Sequence, residues 1–245
     1  MSLVRSLYKP ILLILLLFLG LLLALLILRN IMPTQGFGSR LTRLWHQAII
    51  STLGIKLKII GNRENANVLF VPNHLSWLDI SILGALVPVH FLSKAEITGW
   101  PFIGMLATRA GTLYINRGGR NAAEEANKVM QQILEKNHNV VLFAEGTTTD
   151  GDLRKFHGRL MQSAIDAKSI VQPVAIFYPD ETGKINRKIL YTGNMHFISS
   201  AFTIFSLKKI PVEVHFLPPV QANGKTRGEL ASYCFDSVAN VINNK

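Results

Sequence analysis

Residues 11–28 are apolar without a break except at Gly20, and this run constrains the chain more than any other stretch. A helix over these residues is about 27 Å long, close to the hydrocarbon thickness of a bilayer. A helix of that length on a globular core carries a polar face, and this one has none. A cleaved signal peptide has a shorter apolar region and small residues at its cleavage site. Leu26-Ile27-Leu28-Arg29-Asn30 offers no such site. The run therefore reads as a retained membrane anchor that spans the bilayer or enters one leaflet. Arg5 and Lys9 precede it and Arg29, Arg40 and Arg43 follow it, so charge assigns no orientation.

A breaker-rich link, Pro33-Thr34-Gln35-Gly36-Phe37-Gly38, comes next. Ser39 is placed to cap a helix running to residue 53. Leu41, Leu44, Trp45, Ile49 and Leu53 recur at helical spacing, with Arg40, Arg43 and His46 off that stripe. Such a helix either packs on the domain or lies at the bilayer interface with its arginines toward headgroups. The second reading follows from what precedes it. Residues 1–55 thus form an anchor and an interfacial helix, and residues 56–245 a single further domain.

In that domain short apolar runs alternate with helical patterns. Strands are expected over residues 56–60, 67–71, 90–92, 112–115, 140–144, 171–177 and 212–216. Helices are expected over residues 78–86, 121–136, 158–168 and 227–243. Asn121 with Glu124 reads as a capping box, and Ala126, Val129, Met130, Ile133 and Leu134 make one apolar face. The alternation predicts an α/β fold with a mixed, mostly parallel sheet flanked by helices. The single cysteine, Cys234, excludes an intrachain disulfide and a multi-cysteine metal site, and it falls in an apolar helical pattern. Net charge is +11, from 26 Lys and Arg against 15 Asp and Glu. That excess suits nucleic acid, an anionic membrane face or a phosphorylated substrate. With no nucleic-acid motif and no aromatic-basic platform, the membrane and a phosphorylated substrate are the expected partners.

Polar residues gather where strands end, which is where open α/β sheets bind ligands. His74 and Asp79 follow the strand at 67–71. An imidazole is the usual general base at neutral pH, and a carboxylate fixes its tautomer. Five positions on a regular helix turn the side chains about 140° apart. The two meet only if His74 lies in the turn before the helix, as Pro72-Asn73 suggests. Alone, the pair also fits a helix start with an Asp that merely caps. Arg117, in Asn116-Arg117-Gly118-Gly119-Arg120, suits bidentate phosphate binding or an exposed turn. Glu145-Gly146-Thr147-Thr148-Thr149-Asp150-Gly151 lacks the lysine and spacing of a nucleotide P-loop, but its amides and hydroxyls suit a polyol or phosphate. His157 reads as a supporting or surface group. His74, Asp79 and Glu145 match no zinc spacing, so no metal is expected.

Together these blocks resemble the lysophosphatidic acid acyltransferase family, also called 1-acylglycerol-3-phosphate O-acyltransferases, within the glycerolipid acyltransferases. His74 to Asp79 matches its His-four residues-Asp signature, with the usual Asn73 before it. Lys94 with Trp100-Pro101-Phe102-Ile103-Gly104 is similar to the stretch before its second block. Tyr114-Ile115-Asn116-Arg117 resembles that block, Phe143-Ala144-Glu145-Gly146-Thr147 the third, and Val171-Gln172-Pro173-Val174-Ala175-Ile176 the fourth. The third block departs from the pattern. Ala144 replaces the usual Pro, and Thr148-Thr149-Asp150-Gly151 lacks the frequent basic residue, a version similar to branches acting on other lysolipids such as lyso-ornithine lipid.

The resemblance implies a membrane-bound enzyme moving a fatty acyl group from acyl-CoA or acyl carrier protein to a lysolipid hydroxyl, first of all that of 1-acyl-sn-glycerol-3-phosphate. It implies catalysis by His74 and Asp79, without cofactor or metal. Asn73, Lys94, Arg117, Glu145, Gly146 and Thr147 are the implied substrate-binding residues, with Arg117 on the acceptor phosphate. A thioester made in the cytosol implies an active site on the cytoplasmic side of the inner or cytoplasmic membrane. The alternatives are another lysolipid acceptor, a non-catalytic lipid-binding membrane protein, and a lipid hydrolase, for which no Ser-His-Asp pattern speaks.

Overall fold

The computed structural model describes residues 2–26, 36–100, 103–115, 121–193 and 195–245. Two helices open the chain, α1 (Ser2–Leu26) and α2 (Gly36–Leu53). Then follow β1 (Ile55–Ile60), β2 (Val68–Pro72), α3 (Leu78–Leu86) and β3 (His90–Lys94). A 3-10 turn leads to α4 (Ile103–Arg109), β4 (Leu113–Ile115), α5 (Ala122–Glu135) and β5 (Val140–Val141). A second 3-10 turn (Gly158–Met161) opens α6 (Gln162–Asp166), before β6 (Ile170–Phe177) and α7 (Phe197–Ser206). The chain closes with β7 (Ile210–Phe216), β8 (Val220–Gln221) and α8 (Arg227–Ile242).

The strands form one mixed sheet in the order β1-β7-β6-β2-β5-β3-β4, with β8 beside β6. Pairing is parallel except where β6 meets β7 and β8. The central strand β2, Val-Leu-Phe-Val-Pro, is buried throughout, as a parallel strand covered on both faces must be. Its residues alternate between two cores. Val68 and Phe70 join the α2, α3 and α7 side, while Leu69 and Val71 join the α5, α6 and α8 side. The edge strand β1 carries Lys56 and Lys58, charges that discourage pairing with another chain.

Several expectations shift. The strand expected over residues 140–144 is paired only at Val140–Val141, with one further bond from Leu142 N to Phe70 O. The helix expected over 158–168 begins as a 3-10 turn, and Gly158 at its start packs where a Cβ would stand 2.4 Å from the Arg227 carbonyl oxygen. Asn121 makes no side-chain cap. The capping box is instead at α8, where Thr226 and Glu229 satisfy each other's backbone amides. Helices α4 and α7 were not legible as elements. In α2 the inward face is rotated: Leu44 is exposed, and His46 is buried against Gly84 of α3. A Cβ at Gly84 would lie 2.5 Å from the His46 ring, so the glycine sets the approach of the two helices. Cys234 is buried, and burial pushes its thiol up to about 12.

Among the described residues, no helix is long and apolar enough to cross a membrane. α1 packs against α2, α4 and α7. Gly20, the single gap in the apolar run, makes room for Trp45, which would stand 2.6 Å from a Cβ there and donates to Leu16 O at 2.8 Å. Lys9 is fully buried, and its ammonium donates to Leu53 O at 2.8 Å and Leu207 O at 2.6 Å. Those carbonyls end α2 and α7, where the helix dipoles present partial negative charge. One lysine thus fastens α1 to two helices of the domain.

Candidate active site

The site grows from the end of β2. Its last pair is Pro72 with Val174 of β6. Beyond it the Asn73 side chain takes over the ladder. Its Nδ2 donates to Ile176 O at 3.0 Å, and its Oδ1 accepts from Ile176 N at 2.7 Å. Asn73 is buried and its amide bonds both backbone groups of Ile176, so the side chain expected to bind substrate has a role in the backbone. It stops β2 and starts the turn that carries His74.

His74 lies in that turn and Asp79 in the first turn of α3, the arrangement that five-residue spacing requires for contact. His74 Nδ1 donates to Asp79 Oδ2 at 2.8 Å. The same oxygen accepts from Leu75 N at 2.8 Å and Ser76 N at 2.9 Å. The other oxygen accepts from the Tyr178 hydroxyl. All four partners are donors, so this buried pocket is built for a carboxylate. With a hydrogen held at Nδ1, Nε2 of the neutral ring is the basic nitrogen. The His74 side chain keeps 16% exposure while Asp79 has none, so the imidazole is the part that meets solvent. Its ring stacks on Phe143, with centroids 3.8 Å apart and planes 20° from parallel.

The segment after β5 holds the backbone of His74 at both its N–H and its C=O. Glu145 Oε2 accepts from His74 N at 2.6 Å, and His74 O accepts from Thr149 N at 2.9 Å. Glu145 Oε1 accepts from Arg154 N at 3.0 Å. Glu145 therefore first of all positions the His74 turn, where a substrate-binding role was expected. Burial pushes its carboxyl up to about 7; the amides of Arg154 and His74 pull the other way, and Asp79 adds to the rise. Gly146 turns the segment with φ +75°, a conformation that favours glycine. Thr147 is exposed, whereas Thr149 Oγ1 is buried with no hydrogen-bond partner among the described residues.

Other expected residues fall elsewhere. Lys94 is exposed at the end of β3. Arg117 lies outside the described residues, as do Pro101 and Phe102. His157 is exposed, and its backbone N donates to Ala144 O. Among the described residues, no group of three or more His, Cys, Asp or Glu is placed to hold a metal ion. Tyr178 was missed. It lies just past the fourth block, at the end of a strand parallel to β2, so the strand-end rule that singled out His74 applies to it too. Burial first, then Asp79, pushes its phenol well above the ordinary value, which keeps it a donor.

Comparisons with known proteins place the chain among relatives. A family model described as Acyltransferase matches residues 55–177, just over half of the chain. A lyso-ornithine lipid O-acyltransferase of Pseudomonas aeruginosa is 40% identical over 193 residues, covering 78% of this chain and 74% of that one. A 1-acyl-sn-glycerol-3-phosphate acyltransferase of Neisseria gonorrhoeae is 39% identical over 151 residues, covering 61% of this chain and 59% of that one. The crystal structure of the 1-acyl-sn-glycerophosphate acyltransferase PlsC from Thermotoga maritima superposes with a TM-score of 0.74, over 99% of this chain and 95% of that one. At 19% identity, that likeness is one of fold. By the family match and the relative that shares most of its length, the chain belongs to the acyltransferase family.

Proposed function

We propose that the protein acylates the free hydroxyl of a lysolipid, using acyl-CoA or acyl carrier protein as thioester donor. The observation that supports this most is the fixed His74–Asp79 pair, with Nδ1 occupied and Nε2 left to act as base. Nε2 takes the hydroxyl proton as the oxygen attacks the thioester carbon. The C–O bond forms, the C–S bond breaks, and the imidazolium returns the proton to the leaving thiolate. General-base catalysis of this kind contributes ~10²–10⁴-fold. Asp79 stabilises the transient imidazolium, and no covalent acyl-enzyme is required.

The first acceptor to consider is 1-acyl-sn-glycerol-3-phosphate, named for the Neisseria relative, with Arg117 holding its phosphate and Lys94, Gly146 and Thr147 shaping the site. A second reading, a lyso-ornithine lipid, is favoured by the longer match to the Pseudomonas relative and by Thr148-Thr149-Asp150-Gly151. On either reading α1 holds the enzyme to the cytoplasmic face of a membrane. Its outer face, with Ile11, Ile14, Leu15 and Phe18 each more than half exposed, suits one leaflet.

A panel of lysolipids offered to the purified full chain with one labelled acyl-CoA tests the reading, with products weighed to separate transfer from hydrolysis. His74→Ala should lose ~10²–10⁴-fold in transfer rate; retention of most of the rate would rule out its role as base. Arg117→Ala should raise KM for a phosphorylated acceptor and leave a phosphate-free one unaffected.

A further inference from the structure

Helix α7, Phe-Ile-Ser-Ser-Ala-Phe-Thr-Ile-Phe-Ser, contains no charged residue. The polar residues among its ten are Ser199, Ser200, Thr203 and Ser206, so it lacks the charged face that a solvent-facing helix carries. α7 is covered on one side only. Ser200, Ala201, Ile204 and Phe205 are buried, while Ile198 is 68% and Phe202 58% exposed. These two lie one turn apart on the uncovered side. α7 packs directly against α1, whose outer face is also apolar, with Phe18 66% exposed. The two outer faces thus belong to adjacent elements on one side of the sheet. Thr203 Oγ1 donates to Ser199 O and Ser206 Oγ to Thr203 O, so these hydroxyls need no water. Exposed Lys208 and Lys209 directly follow the helix, as cations do at an anionic headgroup layer.

We propose that α7 is a second bilayer-contacting element, seated beside α1 with Ile198 and Phe202 at the headgroup–acyl boundary of an anionic membrane. The occupant is lipid because the patch continues the α1 face proposed for the membrane, and because its cationic edge in a chain of net charge +11 matches acidic headgroups. α7 also adjoins the site. Ser200 accepts from Trp77 Nε1 at 3.2 Å, Phe197 packs edge-on to Trp77, and Trp77 begins α3 beside Asp79. Seating α7 therefore brings the His74 turn to the lipid surface. This last point rests on the proposed acylation of a lysolipid; the seating of α7 does not.

The test uses the full chain on vesicles of phosphatidylethanolamine and phosphatidylglycerol, with bromine on the acyl chains. A bimane label is attached to Ile198→Cys, to Phe18→Cys, or to Asn240→Cys on α8 at the opposite side of the sheet. The native Cys234 is buried with its thiol pushed up to about 12, so labelling is selective. Bromine should quench the label at 198 as strongly as at 18 and leave that at 240 bright. A label at 198 that stays bright while 18 is quenched would overturn the proposal. So would efficient cross-linking of Ile198→Cys between copies, which would identify a second chain as the cover. Phe202→Asp should shift the protein toward the unbound fraction in vesicle flotation; unchanged flotation would also count against it. None of these readouts depends on acyl transfer, so inactivity toward every lysolipid leaves them interpretable.

Discussion

Asp79 and Glu145 are both buried carboxylates tied to His74, and they are held in opposite ways. Asp79 receives four donors, three on one oxygen and the Tyr178 hydroxyl on the other. Glu145 receives two backbone amides, one per oxygen, and burial dominates, with its carboxyl pushed up to about 7. The difference lies in how the chain reaches each group. Asp79 is four residues from Leu75 and three from Ser76, so its own turn supplies the amides that receive it. Glu145 reaches across 71 residues to His74 and finds only what the loops leave unpaired. The carboxylate proposed to work with the base is placed where local backbone solvates it. A group that only positions tolerates partial compensation.

The comparison is broken most severely by Asp79→Asn. The amide keeps the shape, and its oxygen can still receive Nδ1–H with the two backbone amides, but it lacks the charge that stabilises the imidazolium, and kcat should fall ~10²–10⁴-fold at unchanged fold. Loss of less than tenfold in a steady-state assay would show that the pair is not a working couple.

Glu145 offers the next effect, on stability. Its folded carboxyl titrates near 7, above the 4.5 of an ordinary Glu, so the folded state holds this proton more tightly. The contribution is present in full below 4.5 and is lost as pH rises from 4.5 through 7. At most it is on the order of 3 kcal/mol. Urea unfolding across that window, native against Glu145→Gln, should show a decline with pH that the Gln variant lacks. Glu145→Gln should also lower kcat about 10- to 100-fold, because its NH₂ group faces one of two amide donors. A variant with native kcat would separate Glu145 from the positioning of His74.

Tyr178→Phe gives the smallest effect. Removing one donor makes the Asp79 carboxylate a stronger partner for the imidazolium. The acid limb of the rate profile should move to higher pH, with kcat down less than about tenfold. A purely structural tyrosine would lower kcat without moving the limb.

Much of this site was legible along the chain. The five-residue spacing of His74 and Asp79, with Pro72 and Asn73 before it, required a turn, and a turn is what forms. The apolar runs marked β2 and β6 because buried parallel strands need no alternation. Asn73 was assigned to substrate because a polar residue in a motif reads the same when it binds a ligand as when it completes a sheet. Only Ile176, 103 residues away, distinguishes the two. α7 was missed because its Ser and Thr residues fall on both its buried and its open side, leaving no polar face to reveal its period. His46 was placed outside the α2 stripe because its burial depends on Gly84 of another helix.

The sequence alone determined the alternation of strands and helices, the turn that carries His74, and the apolar character of residues 11–28. These follow from dihedral preference and side-chain period, which act within a few residues. Tertiary structure decided that Tyr178 completes the shell of Asp79, that Glu145 and Thr149 hold the N–H and C=O of His74, and that α7 packs against α1. Those contacts join residues far apart in the chain. Which distant donor reaches which carboxylate is set by strand order and helix packing, quantities that no local pattern encodes.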